Sequence, residues 1–272
     1  MQKFEIEGHE PSLLPEGAEW ELAWQDEFDG TELDETKWGY RLNFWGKRFA
    51  PFIGSEGIEV DGKSHLIMKL VEKDGEYCGC QLQTGALTFD NSRDPEEEFW
   101  PFGQLEKPKY MHGFGFYECR CKLNKNAGWW TAFWIQSPCI GAHPDPRFAG
   151  IECDIMESQE YAVDGTIRCG NIWNGYGKNM ILPGHSHPVV PKTADDWHRF
   201  AVDWSPDGYV FYVDGVEVKR ENTAVSQIEQ FILLTTEPMS YRMNGKADPR
   251  LKNAMPDAFV VDYVRVFDRV RK

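Results

Sequence analysis

Three observations predict an all-β protein, a β-sandwich of jelly-roll type with a concave cleft on one face. Short runs of alternating apolar and polar residues recur, as in Tyr117-Glu118-Cys119-Arg120-Cys121-Lys122-Leu123. Turn signals separate the runs, at Asp29-Gly30, Asp61-Gly62, Pro206-Asp207-Gly208 and Asp214-Gly215. A helical period is almost absent, and many short strands of this kind favour two packed sheets. At 272 residues the chain can bury the core of one large β domain. Neither an internal repeat nor a domain boundary is visible. Residues 1–19, with Pro11, Pro15 and Gly17, read as an irregular lead-in to a single domain over residues 20–272.

Composition narrows the partners. Lys and Arg number 29 against 44 Asp and Glu, and 29 − 44 gives a net charge of −15. So acidic a surface argues against nucleic acid or an anionic membrane as partner. No run of 18 apolar residues is present, which excludes a transmembrane helix. Aromatic residues make up 14% of the chain, including 11 Trp, more than packing alone requires. Aromatic faces match the apolar C–H faces of sugar rings, so a polysaccharide or oligosaccharide is the expected partner of a chain acting as a monomer. The charged start at Met1 lacks the apolar core of a signal peptide, and seven cysteines, an odd number, fit free thiols. Both suggest a cytoplasmic protein, or a secreted or periplasmic one whose signal has been trimmed.

Taken in order, Trp20 to Gly30 reads as a first strand ending in a turn at Asp29-Gly30, and Asp34 can cap a short turn over residues 33–38. Residues 43–57 form an aromatic, basic loop, in which Trp45 and Arg48 either line a sugar subsite or pin the loop itself. A strand follows from His65 to Val71. Cys78-Gly79-Cys80 and Cys119-Arg120-Cys121 have one residue between cysteines, where zinc ligand pairs usually have two to four. On a strand each pair faces one side, so both are assigned to the core. Residues 89–109 interrupt the strand pattern as an acidic loop whose Phe99, Trp100 and Phe102 could fold over a cleft. Trp130 and Trp134 are four apart on the next strand and share a face, which is assigned to the cleft. His185-Ser186-His187 has ligand-like spacing without a neighbouring Cys, Asp or Glu, and is assigned to a loop. Trp197 to Val218 predicts a hairpin, Phe231 to Thr235 a buried strand, residues 237–256 a polar loop, and Phe259 to Val266 a closing strand.

The chemistry concentrates in Ile151-Glu152-Cys153-Asp154-Ile155-Met156-Glu157-Ser158. On a regular strand Glu152 and Asp154 share a face, while Glu157, five positions from Glu152, would point into the core at a high desolvation cost. One inserted residue, a β-bulge at Ile155-Met156, returns Glu157 to the same face. Two carboxyls flanking a bond, with a third between them, can perform acid/base and nucleophilic work on a glycoside. Repulsion within such a group favours keeping one member protonated. Glu152 and Glu157 would be roughly 13 Å apart at Cα by strand rise, and a retaining pair needs carboxyls about 5–5.5 Å apart. Both side chains must therefore lean inward over Asp154. The other reading of the three acids is a solvated strand face.

Glu152-Cys153-Asp154-Ile155-Met156-Glu157 resembles the bulged signature of glycoside hydrolase family 16, on its laminarinase, agarase and galactanase side. Gly128-Trp129-Trp130-Thr131-Ala132-Phe133-Trp134 is similar to the tryptophan-rich strand before the acids. The hairpin containing Phe200 to Asp207 and Phe211 to Gly215, and the strand Val261 to Phe267, resemble later family strands. The ordered matches run from about Trp20 to Phe267. One departure stands out: related members carry a histidine just before the aromatic of an H-W-D/N-G-Y-G run, and this chain has Ile172 before Trp173-Asn174-Gly175-Tyr176-Gly177.

The resemblance implies an endo-acting, retaining glycosidase for a β-linked glucan or galactan, with Glu152 as nucleophile, Glu157 as acid and then base, and Asp154 orienting Glu152. Trp173 joins Trp130 and Trp134 on the expected cleft face. No redox or organic cofactor is implied; some members hold a structural calcium on the convex face, for which Asp262 is the candidate ligand. The alternative from another class is a non-catalytic, lectin-like carbohydrate-binding protein on the same fold. A binder has no need of both Glu152 and Glu157.

Overall fold

The computed structural model describes residues 1–41, 52–86, 107–239 and 247–270. Its first strands are β1 (Gln2–Phe4), β2 (Ser12–Leu14), β3 (Trp20–Asp26), β4 (Gly39–Tyr40), β5 (Phe52–Ile53) and β6 (Ile58–Val60). Then come β7 (Leu66–Lys69), β8 (Val71–Lys73), β9 (Glu76–Gln83), β10 (Gly115–Lys122), β11 (Trp129–Gln136) and β12 (Ile151–Glu157). The last are β13 (Arg168–Trp173), β14 (His198–Ser205), β15 (Gly208–Val213), β16 (Val216–Glu221), β17 (Phe231–Pro238) and β18 (Ala258–Arg269). Two single-turn helices, α1 (Pro146–Ala149) and α2 (Tyr161–Asp164), flank β12.

Two sheets carry the sandwich. The back sheet has the order β16-β15-β14-β10-β18-β7-β6, with β3 also pairing β18. The cleft sheet has the order β13-β12-β11-β17-β9-β4, with β5 and β8 also pairing β9. Strand alternation places Phe133, Ile135, Cys153, Ile232 and Leu234 of the cleft sheet against Cys119, Phe200, Val202, Val261 and Val264 of the back sheet. The all-β sandwich expected from the sequence is the observed architecture. No helix among the described residues is long and apolar enough to cross a membrane.

The N-terminal segment departs from its expectation. Residues 1–19 contain a hairpin, β1 against β2, rather than an irregular lead-in. Leu14 inserts beside Trp20, Phe116 and Phe267 on the outer side of the back sheet. Arg265, fully buried, makes a two-point ion pair with Glu27 at 2.7 and 2.8 Å and donates to Glu10 O and Ser12 Oγ. The hairpin is therefore held by a buried cation as well as by apolar contact; left-handed Gly8 sits in its turn, and Gly17 in the turn that follows β2. Residues 237–256 differ too, since β17 continues to Pro238 and a short 3₁₀ turn spans Pro249–Asn253.

All seven cysteines are free, and every one but Cys139 is buried. Cys78, Cys80, Cys119 and Cys121 point into the inter-sheet core, and burial pushes the Cys80 thiol up to about 12. Such thiols are shielded and poorly ionised. Thiol titration without reductant should find at most one group reactive in the folded protein and all seven after denaturation. Two or fewer after denaturation would mean disulfides and a different packing of the cysteine pairs.

Candidate active site

The site is built on β12 and depends on a break in its register. Across β11, Glu152 lies opposite Gln136 and Asp154 opposite Trp134, whereas Met156 and Glu157 face Phe133 and Ala132. Across β13, Asp154 lies opposite Gly170 and Glu157 opposite Arg168, so two residues of β12 are spent where β13 spends one. The extra residue falls at Ile155-Met156, where the spacing of the acids predicts it. Both side chains are buried in the inter-sheet core. Their shared direction turns Glu157 back to the face carrying Glu152 and Asp154.

That face lines a cavity of about 370 Å³. Its walls include Glu152, Asp154 and Glu157, Trp130 and Trp134 from β11, and Thr235 and Glu237 from β17. Ile172, Tyr176, Met180, Leu182 and His185 line it from the β13 side. Trp134 Nε1 donates to Thr235 Oγ1 at 3.0 Å, and the Arg41 guanidinium lies 4.9 Å from the Trp134 ring centroid. The structure thus brings together five of the residues singled out in the sequence: the three acids and two tryptophans.

Trp173 is not among them. Cross-strand partners share a face, and Trp173 pairs with Ile151, which is buried in the core. Trp173 packs against that same core, and Ile172, opposite Glu152, takes the cleft position. Trp45 and Arg48 lie outside the described residues, as do Phe99, Trp100 and Phe102. The surroundings of Asp262 do not fit calcium, which takes six to eight oxygen ligands. Its carboxylate accepts from Arg120 Nη1 at 2.6 Å, and Arg120 and Lys122 both cover the Trp197 ring. Asp262 is the anion of a mostly buried ion pair.

Donors converge on Glu152. Gln136 Nε2 donates to its Oε2 at 3.2 Å, and the Tyr176 hydroxyl donates to the same oxygen. Burial, with the Glu152 charge beside it, holds the Tyr176 phenol far above its usual range, so it remains a donor. Burial pulls Arg41 down to about 10, which leaves it charged at neutral pH, and Tyr176, Glu152 and Glu237 surround it. A reversal after β13 delivers Tyr176. Asn174 and Gly175 are both left-handed, and Asn174 Nδ2 donates to Asn179 O at 2.7 Å. A Cβ at Gly175 would stand 3.1 Å from Gly141 Cα, so the turn packs closely there.

The Asp154–Glu157 side is furnished differently. His185 Nε2 lies 3.2 Å from Asp154 Oδ2, off the axis of a hydrogen bond. Gln159 Nε2 donates to Glu157 Oε1 at 3.4 Å. Arg168, opposite Glu157 in register, is engaged by Glu160. Burial, the largest influence, lowers the His185 pKa below its usual value, against the opposing pull of Glu157. Asp154, Glu157 and His185 have side-chain ligand atoms within 4.8 Å of one another, the one such His, Cys or acid grouping among the described residues. Two of the three are the acids of the site, so a cation there would compete with acid/base chemistry.

Sequence reasoning missed Arg41, Gln136, Tyr176 and Glu237 as site residues and placed His185 in a loop without a role. Gln136 was within reach, since it continues the Trp130, Trp134 face of β11 by two residues. Arg41 and His185 approach through long-range folding and carry no local signal.

The family model described as glycosyl hydrolases family 16 matches residues 84–264. The chain is 28% identical over 262 residues to glucan endo-1,3-beta-glucosidase A1 of Niallia circulans, covering 90% of this chain and 37% of that protein's length. It is 25% identical over 273 residues to a beta-glucanase of Rhodothermus marinus, covering 91% and 85%. The solved catalytic domain of an endo-1,3-beta-glucanase (laminarinase) from Thermotoga petrophila superposes with a TM-score of 0.67 at 23% identity, covering 93% of this chain and all of that one. At that identity the superposition establishes a shared fold.

The bulge makes a testable demand on β12. Deleting Met156 restores regular alternation and leaves all three acids on the cleft face, at the cost of one buried side chain, about 2–5 kcal/mol. The shortened protein should fold with a lowered thermal midpoint. Deleting Cys153 instead turns Glu152 toward the core and should abolish the cooperative transition. Equal behaviour of the two deletions in thermal unfolding would contradict the assigned faces.

Proposed function

This chain belongs to glycosyl hydrolases family 16, and from that premise we propose that it is a retaining endo-β-glycosidase that hydrolyses a β-linked glucan or galactan by double displacement. The observation that carries the reading is the register break in β12, which sets Glu152, Asp154 and Glu157 in one row beside Trp130 and Trp134. In this mechanism Glu152 attacks the anomeric carbon, and Glu157 gives its proton to the departing glycosidic oxygen. Glu157 then takes a proton from water as that water opens the glycosyl–Glu152 ester, which returns both acids to their starting states. Asp154 stands between them and orients Glu152. Tyr176 and Gln136 hold the attacking carboxylate by donating to one of its oxygens. Indole faces of Trp130 and Trp134 provide stacking surface for sugar rings.

Relatives named as a glucan endo-1,3-beta-glucosidase and a beta-glucanase support a β-1,3-linked glucan as the first substrate to test. Incubation with a panel of β-glucans and β-galactans, followed by product sizing, tests the substrate class. Internal cleavage with retained anomeric configuration is expected. Oligosaccharide binding without cleavage of any panel member would leave a lectin.

Two variants test the roles. Glu157→Gln keeps shape but removes the proton donor, so polysaccharide hydrolysis should fall by about 10²–10⁴. An aryl glycoside with an activated leaving group needs less protonation and should lose less in the first step; equal losses on both substrates would sink Glu157 as the acid. Glu152→Gly removes the nucleophile, and azide admitted to the vacated space should restore turnover of the aryl glycoside. The rescued glycosyl azide should have the anomeric configuration opposite to the substrate, and a product of the same configuration would assign the nucleophile elsewhere.

A further inference from the structure

The cleft sheet ends at β13, and residues 177–190 fold back along that edge. Isolated bridges pair Trp173 with Ile181, Cys169 with Ser186 and Thr166 with Val189. Cys169 N donates to Ser186 O at 3.1 Å and Ser186 N to Cys169 O at 3.0 Å, which fixes the backbone on one side of His185. Lys219 Nζ donates to Gly184 O at 2.7 Å and fixes it on the other. We propose that this strap makes His185 a positioning residue of the hydrolytic site, an imidazole that holds Asp154 and, beside it, Glu157 in their working orientations. The proposal rests on the glycosidase reading above.

Three features support it. First, the ring is brought to the acids from a distant part of the chain and kept there. Its Nε2 is buried and 3.2 Å from Asp154 Oδ2, and a ring nitrogen lies within 4.8 Å of a Glu157 carboxyl oxygen. An imperfectly aligned contact of this kind in a ligand-free site is expected to tighten when substrate fills the cleft.

Second, β13 leaves room for the ring. Gly170 stands opposite Asp154, and a Cβ there would lie 2.5 Å from His185 Cδ2 and 2.9 Å from Lys219 Nζ. A larger residue at 170 would crowd the imidazole and the Lys219 ammonium, so something there must shift. The neighbouring cleft position on β13, opposite Glu152, is the apolar Ile172 and can offer no hydrogen bond in its place.

Third, the ring can act without adding charge. The charged groups facing it are Glu152, Asp154 and Glu157 from β12, Arg168 from β13 and Lys219 from β16. Burial dominates among them and lowers the His185 pKa, so the imidazole is neutral at neutral pH. A neutral ring donates one N–H to a carboxylate. A fixed cation at the same place would favour ionisation of the acid whose proton the first step needs.

The experiment compares His185→Ala, His185→Gln and Gly170→Ala with the unaltered protein on β-1,3-glucan, with thermal midpoints measured alongside. Loss of one hydrogen bond to a charged group should lower kcat by about 10–100-fold in His185→Ala, with a smaller change in KM. Gly170→Ala should fall in the same direction although its imidazole is intact. Glutamine, which restores a neutral donor, should recover most of the loss, and the alkaline limb of the pH–kcat profile should move only in the variants that lose activity. A folded His185→Ala protein with unchanged kcat and pH profile overturns the proposal. So does a loss that follows the thermal midpoint and is not rescued by glutamine.

If the unaltered protein cleaves nothing, it is the glycosidase reading that fails, and the placement of His185 is then tested without activity. Ring ¹⁵N shifts of His185 should report a neutral imidazole at neutral pH and should change in Asp154→Asn and in Gly170→Ala. A ring that titrates as a free histidine and ignores both substitutions overturns the placement.

Discussion

One residue too many in β12 is the constraint on which the site depends. An unpaired carboxylate pointing into the inter-sheet core would cost several kcal/mol, so a strand with acids at 152, 154 and 157 cannot keep regular alternation. Two neighbouring apolar side chains, Ile155 and Met156, enter the core together, and the three acids keep to the other face. Both neighbouring strands register the break: β11 between Phe133 and Trp134, β13 opposite Cys169. The same arrangement aligns Asp154 with both Trp134 and Gly170, one an aromatic wall and the other an opening for His185. Core packing and active-site geometry are therefore the same requirement seen from two sides of one sheet.

What the sequence revealed follows from periodicity. Alternation alone places Trp130 and Trp134 together, puts the paired cysteines in the core, and requires the bulge once burial of Glu157 is judged too costly. Parity within β13 carries the correction to Trp173. If cysteine is a core residue there, Cys169, Asn171 and Trp173 share the inner face, and Arg168, Gly170 and Ile172 share the cleft. At the N-terminus, Leu13 and Leu14 were the signal of a packed hairpin, hidden beside Pro11, Pro15 and Gly17.

Other parts were not legible because they depend on distance folded away. Arg41 reaches the Trp134 ring and the Glu152 neighbourhood from the end of β4, and nothing around it in sequence resembles a site. His185 has no acid nearby in sequence, yet Asp154, 31 positions earlier, meets it through the edge pairing of the strap. Asp262 illustrates the converse: an acid on a closing strand looks available to a metal until the partner strand supplies Arg120.

The two ends of the acid row stand in unlike surroundings, and that asymmetry is what two-carboxylate chemistry requires. Glu152 receives hydrogen bonds from Tyr176 and Gln136 and lies near the buried charge of Arg41, all of which favour an ionised, held carboxylate. At the other end His185, whose ring is neutral, stands beside Asp154, and Arg168, opposite Glu157 in register, is engaged by Glu160. Hydrogen-bond donors thus converge on Glu152, while a neutral imidazole stands beside Asp154 on the other side of the row. The separation is made by elements far apart in the chain: the end of β4 and the turn after β13 serve Glu152, and the edge strap serves Asp154 and Glu157. The bulge puts the acids in line, and the loops around the sheet give each its own task.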